Sequence, residues 1–197
     1  LPTLAINDFG DAETNAVLQG RCPSARLVGP GRHLGHHPAV DALYSEVTTP
    51  YIWHGEDDWL FHRDGFLDQA RNLLEADPRI SAVCFRDLED FPHTAADRAR
   101  ITRGEIDGVR FARLEALHPQ WHGYTFNPHL ARRSLWEEIG GFARFGKERH
   151  ISRHLRARGM FVAFLEPGAC SHIGEERGVL PAPPKKFAAV RNWWRGR

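Results

Sequence analysis

Cysteine is scarce, charge of either sign is nearly cancelled, and no long apolar run is present. The three cysteines, Cys22, Cys84 and Cys170, are odd in number and show no CxxC spacing, so neither a disulfide framework nor a zinc knuckle is indicated. That pattern suits a reducing compartment, and a cytoplasmic location is expected. Lys plus Arg number 26 against 25 Asp plus Glu. The surface therefore lacks the strong positive field that non-specific nucleic-acid binding needs, and no nucleic-acid partner is expected. No apolar stretch approaches the ~20 residues that span a bilayer, and no basic-then-apolar signal opens the chain. Internal repeats and low-complexity tracts are also missing. The first residue is Leu1, the start expected of a trimmed or partial chain.

What remains is an ordinary globular composition, 42% hydrophobic over 197 residues. One sizeable core plus an extension fits in that length, so one site is sought. The twelve histidines are spread along the chain and include potential metal ligands and groups that titrate near neutrality.

Strand-like and helix-like patterns alternate. Residues 3–6 form an apolar run ending in Asn7-Asp8, and Asp11 can cap a helix through about Gln19. Residues 25–28 read as a strand, and Val40, Leu43, Tyr44 and Val47 give the next helix its apolar face. Tyr51-Ile52-Trp53-His54 is a further strand, and it runs directly into Gly55-Glu56-Asp57-Asp58. Residues 65–77 have helical spacing and 80–85 are strand-like. Between about Asp87 and Trp121 the chain is charged and aperiodic, so a long irregular excursion, a flap over the site, is expected. Beyond it, Ser134 can cap a helix through Ile139, residues 148–158 are helical, and 161–165 form a last strand. This order predicts an α/β layered domain with a mostly parallel central sheet flanked by helices, its site at the carboxyl ends of the strands. The domain is expected over residues 1–180, with a donor half at about 1–90 and a catalytic half at about 120–180. Residues 181–197 read as a Pro-rich hinge and a basic, aromatic helix that packs on the domain or touches a membrane surface.

Three adjacent acids closing a buried strand repel one another, and a hard divalent cation would relieve that repulsion while bridging to substrate phosphates. An acidic surface turn is the plain alternative. Glu56-Asp57-Asp58 after Tyr51-Ile52-Trp53-His54 resembles the aspartate-any-aspartate motif of family 2-like glycosyltransferases of the GT-A fold. Residues 5–11 are similar to that family's strand and acidic turn facing the donor nucleotide. Asn127-Pro128 through Trp136, with Gly140-Gly141-Phe142, is similar to the stretch preceding its catalytic acid. Gly146-Lys147-Glu148 stands where the family has Gly-Glu-Asp, and Ser171-His172 where relatives supply a metal-binding histidine. The resemblance spans residues 4–175. It departs in having Glu56 as the first acid, Lys147 before Glu148, and no counterpart before Leu1 of the fold's usual first strand and helix.

The resemblance implies a metal-dependent transferase that moves a sugar from a nucleoside diphosphate donor, a UDP-sugar first of all, to a hydroxyl of a glycan, lipid or small molecule, with inversion. Asp58 and His172 would hold Mn2+ or Mg2+. Asp8, Asp11, Glu56 and Asp57 would contact the donor and cofactor, and Glu148 would be the general base. Each has a plainer role: Asp8 a cap, Glu148 a helix-start acid, His172 a loop histidine. Trp121, His122 and Tyr124 would offer a sugar-stacking platform unless they are core. No role is assigned to His36, His37, His54, His62 or His150. Two rivals from other classes stand beside this reading: a metal-dependent phosphohydrolase, which needs a second carboxylate cluster near Asp58, and a non-catalytic binding module using the basic tail.

Overall fold

The computed structural model describes residues 1–29, 32–118 and 123–174. The tail segment 181–197, Trp121 and His122 lie outside them. Strands β1 (Leu4–Ile6) and β2 (Arg26–Val28) bracket helix α1 (Ala12–Arg21) and pair in parallel as a small separate sheet. Asp11 caps α1 as expected, accepting from Thr14 N at 2.8 Å. Then come α2 (His36–Ser45), β3 (Tyr51–His54), β4 (Trp59–Phe61), α3 (Phe66–Ala76) and β5 (Ile80–Cys84). The second half holds α4 (Ala95–Arg98), β6 (Thr102–Ile106), β7 (Val109–Arg113), β8 (His129–Arg132), α5 (Arg133–Glu138), α6 (Glu148–Ala157), β9 (Phe161–Leu165) and β10 (Cys170–His172).

The main sheet runs β3-β8-β5-β9-β7-β6, and β4 pairs with β10 apart from it. The layered α/β class is the one expected, but parallel pairing is confined to β1–β2 and β5–β9. The remaining neighbours are antiparallel. Two features that sequence periodicity did not show account for this. Strand β8 has only four residues and slots backwards between β3 and β5. The stretch expected to be an irregular flap instead builds the hairpin β6–β7 at the sheet edge. Its turn is Asp107-Gly108, both at positive φ (48° and 77°), the mirror-image turn whose twist matches paired strands. Ser134 also lies inside α5 rather than capping it; Arg132 occupies the cap position.

The strands sit where they do because both faces are apolar. In β9 all five residues are buried. Val162 and Phe164 join one core with Val40, Tyr44, Leu135 and Ile151, while Phe161, Ala163 and Leu165 join another with Leu73 and Leu74 of α3. This alternation is the period of two that a doubly covered strand imposes. Cys84 and Cys170 are buried free thiols, each pushed up to about 12 by burial.

One carboxylate ties α2 to α5 and to the loop that follows it. Asp41 of α2 accepts from Trp136 Nε1 at 2.7 Å, Phe142 N at 2.8 Å and Ala143 N at 2.8 Å. Gly141, at φ +78°, lies so close that a Cβ there would stand 2.9 Å from Asp41 Oδ2, which explains the Gly-Gly-Phe sequence sterically. Asp41→Ala strands three donors, and hydrogen bonds to a charged acceptor contribute about 1.5–3 kcal/mol each. A loss of about 3 kcal/mol in urea unfolding is the expected result, with Asp41→Asn intermediate.

Candidate active site

Two clusters assemble at the loops following β3. In the first, the acidic turn leads straight into β4, which pairs antiparallel with β10 so that Trp59 stands opposite His172. That pairing brings His172 Nε2 to 2.9 Å from Asp58 Oδ2 across 114 residues of chain. The other oxygen, Asp58 Oδ1, is buried and has no hydrogen-bond partner among the described residues. Gly174 closes the turn, where a Cβ would come within 2.7 Å of Asp58 Cβ and 2.8 Å of Oδ2. Any side chain there would push the carboxylate aside. A carboxylate with one idle oxygen facing an imidazole nitrogen is a donor set that fits a divalent cation. Among the described residues no group of three His, Cys, Asp or Glu converges as a metal cage. Magnesium-like ions commonly take one or two protein ligands and complete their shell with water and phosphate oxygens.

The second cluster surrounds Glu148, the first residue of α6. Its Oε1 accepts from Phe126 N at 3.0 Å and from Thr125 Oγ1 at 3.4 Å. Ser152, one helical turn on, accepts from Tyr124 N and donates to Tyr124 O, stitching α6 to the same segment. Burial holds the Glu148 carboxyl above the usual range, partly countered by the Phe126 N–H and by His36. His36, opening α2, lies at 3.0 Å from Glu56 Oε1, with its ring edge-on to Phe126 at 4.6 Å. The Glu56 bond raises the His36 pKa, and Glu148 and Asp8 add to that pull. The imidazole is thus drawn toward its protonated form by three carboxylates, Glu56 first.

The predicted residues therefore divide. Asp58 meets His172, and Glu56 and Glu148 are joined electrostatically through His36. Asp8 points at the start of α2, where its oxygens accept from Leu34 N (2.7 Å) and Gly35 N (2.8 Å) and meet His33 Nδ1 at 2.9 Å. It therefore steadies the segment carrying His36. Asp11 is taken up in capping α1, with Asn7 also donating to it, and Asp57 is exposed on the turn. Tyr124 is buried in the core and offers no ring to a sugar. Among the described residues no further Asp or Glu converges with Asp58 and His172 as a metal-holding group. Glu89 is paired with Arg98, and Asp90 with Arg86. Sequence reasoning passed over His36; its signal was a histidine directly after the Leu34-Gly35 helix start, at the same sheet end as the acids.

A hollow of about 620 Å³ lies against β6–β7 and residues 165–168. Asp87, Arg103, Arg110 and Glu166 help line it, whereas Asp58 and Glu148 do not. No helix among the described residues is long and apolar enough to cross a membrane.

This arrangement, a mixed sheet flanked by helices with an acidic turn after its edge strand β3, is that of the GT-A glycosyltransferase fold. The mannosyltransferase PcManGT from Pyrobaculum calidifontis, solved with GDP-Man and Mn2+, matches with a TM-score of 0.60 at 18% identity, over 90% of this chain and 49% of that one. GalNAc-T7, solved with UDP, GalNAc and Mn2+, matches with a TM-score of 0.62 at 13% identity, over 98% of this chain and 42% of the other. The chain thus spans less than half the length of either structure. No protein-family model and no curated protein matches it in sequence.

Proposed function

We propose that this chain carries the donor-binding and catalytic machinery of a metal-dependent glycosyltransferase of the family 2 type. The reaction moves a sugar from a nucleoside diphosphate sugar to a hydroxyl acceptor with inversion. The observation that supports it most is the Asp58–His172 pair with its idle, buried Oδ1, standing where a strand of a GT-A fold ends. The two solved structures of this fold, held with Mn2+ and a GDP- or UDP-linked ligand, favour the same chemistry.

Asp58 and His172 would hold Mn2+ or Mg2+, which when bound offsets the charge growing on a departing diphosphate. The protein's own groups do the rest. Glu148 takes the proton of the acceptor hydroxyl as its oxygen bonds to the anomeric carbon. The bond from that carbon to the phosphate oxygen breaks, and its electron pair leaves with the diphosphate. One displacement inverts the centre. The raised affinity of Glu148 for a proton suits it to that step, and His36, drawn toward its protonated form chiefly by Glu56, stands among the acids around it. Asp8, Glu56 and Asp57 line the donor side, the first by holding the His33–His36 segment. The acceptor is a glycan, a lipid or a small molecule, and the working compartment is the cytoplasm, with membrane contact through residues 181–197 as a further part of the proposal.

Thermal unfolding with a panel of nucleoside diphosphates, with and without Mn2+, tests the reading. Ligand at about 100 times Kd stabilises the native state by about 2.7 kcal/mol, so a Mn2+-dependent rise with UDP or GDP is expected. No response to any nucleotide, with a response to anionic lipid vesicles instead, would replace the transferase with a binding module.

A further inference from the structure

Resting on that metal-centre reading, we infer that Arg86 and Asp90 are positioning residues that set His172 for metal binding. Asp90 Oδ2 accepts the backbone N–H of His172 at 3.1 Å and, at the same oxygen, Arg86 Nε at 2.7 Å. A second guanidinium nitrogen of Arg86 donates to the Asp90 carbonyl at 2.9 Å, so the pair is forked and cannot swivel freely. Its environment locks it further. The guanidinium carbon lies 4.1 Å from the Phe91 ring centroid and 5.3 Å from that of Trp59, and the two side chains are only 15% and 22% exposed. Partly desolvated, charge-assisted contacts of this kind are the stronger sort.

The pair reaches His172 by two routes. One is the backbone bond from Asp90. The other is Trp59, whose ring centroid lies 5.0 Å from that of the imidazole and 5.3 Å from the Arg86 guanidinium carbon. Arg86 is also bridged to Cys170, two residues before His172. The imidazole is thus fixed at its backbone, at its ring and, through Asp58, at Nε2. β10 has just three residues and pairs with one short strand, so the bond from Asp90 adds a hold on its last residue beside those of Trp59 and Asp58.

Outer partners that orient a metal ligand typically change affinity by 10–100-fold when removed. The test is a titration of histidine-labelled protein with Mn2+ alone, reading paramagnetic broadening of ring signals, with His172 assigned by His172→Gln. In the parent, His172 should broaden at lower Mn2+ than the other histidines. Asp90→Ala and Arg86→Gln should each raise the midpoint about 10-fold. Asp90→Asn keeps an oxygen for the His172 N–H and should stay within about 3-fold of the parent. Asp41→Ala lowers stability elsewhere and should leave the midpoint unchanged, which separates positioning from general loosening. If Asp90→Ala does not fold, Arg86→Gln and Asp90→Asn carry the comparison. Selective broadening of His172 with equal midpoints in parent and folded variants would overturn the positioning role and leave the metal centre standing. A parent in which Mn2+ singles out no histidine would overturn the metal centre itself.

Discussion

Glu148→Gln should bind donor nucleotide as the parent does and transfer sugar about 10³-fold more slowly, within the 10²–10⁴ that a positioned general base contributes. The substitution is close to isosteric, and the amide oxygen can still accept from Phe126 N, the contact that locates the carboxylate. The capacity to take a proton is lost, together with the charge that pulls on His36. The pH profile sharpens the test. Burial raises the Glu148 pKa, so the ionised base appears only above the ordinary glutamate range, and kcat should fall on an acidic limb displaced upward from about 4.3. The variant should lose that limb. The sign for stability is opposite: a carboxyl whose folded pKa is raised contributes most when protonated, and that contribution fades as pH rises through the folded value. Activity and stability should therefore move in opposite directions across the same window. A Gln variant turning over at the parental rate would remove Glu148 from the mechanism.

Asp58→Asn should abolish the Mn2+-dependent part of nucleotide stabilisation and reduce transfer by roughly 10²–10³-fold, the scale seen when one preorganised electrostatic contact is removed from a transition state. The reason is local. Asp58 Oδ1 is the buried oxygen with no partner, and its charge is what a cation would answer. Asn preserves the shape, can still meet His172, and relieves crowding among three adjacent acids, so the metal-free protein should fold at least as well. Unchanged Mn2+ dependence in this variant would show that the cation, if any, is held elsewhere.

How much of this was legible in the sequence differs from element to element. Helix α3 and strands β5 and β9 were readable because burial imposes a clear period: Ala70, Leu73 and Leu74 on one face, five buried residues in a row in each strand. Strand β8 was not, since His-Leu-Ala-Arg is too short to show a period, and its place depends on partners 45 and more residues away. The hairpin β6–β7 had a usable signal in Asp107-Gly108, masked by the charge around it. At the site, Asp58 and His172 were paired by resemblance, and the structure brings them into contact. The duty of Asp8 at residues 34–35 could not be read, because a cap that reaches 26 residues along the chain leaves no local pattern. The link from His36 to Glu56 and Glu148 likewise exists only once α2, the acidic turn and α6 are folded together.

The grip of Asp41 on residues 142 and 143 has a consequence for how activity screens of this chain are read. Asp41 sits in the helix that begins with His36, and the loop it holds runs into the helix that begins with Glu148. The carboxylate therefore acts as a rivet between the helices that begin with His36 and Glu148. A screen that scored turnover alone would rank Asp41 among the reacting groups, although it touches the substrate nowhere in this scheme. Raising the temperature toward the melting point of the Asp41→Ala protein should widen its deficit, whereas the deficit of Glu148→Gln should stay constant.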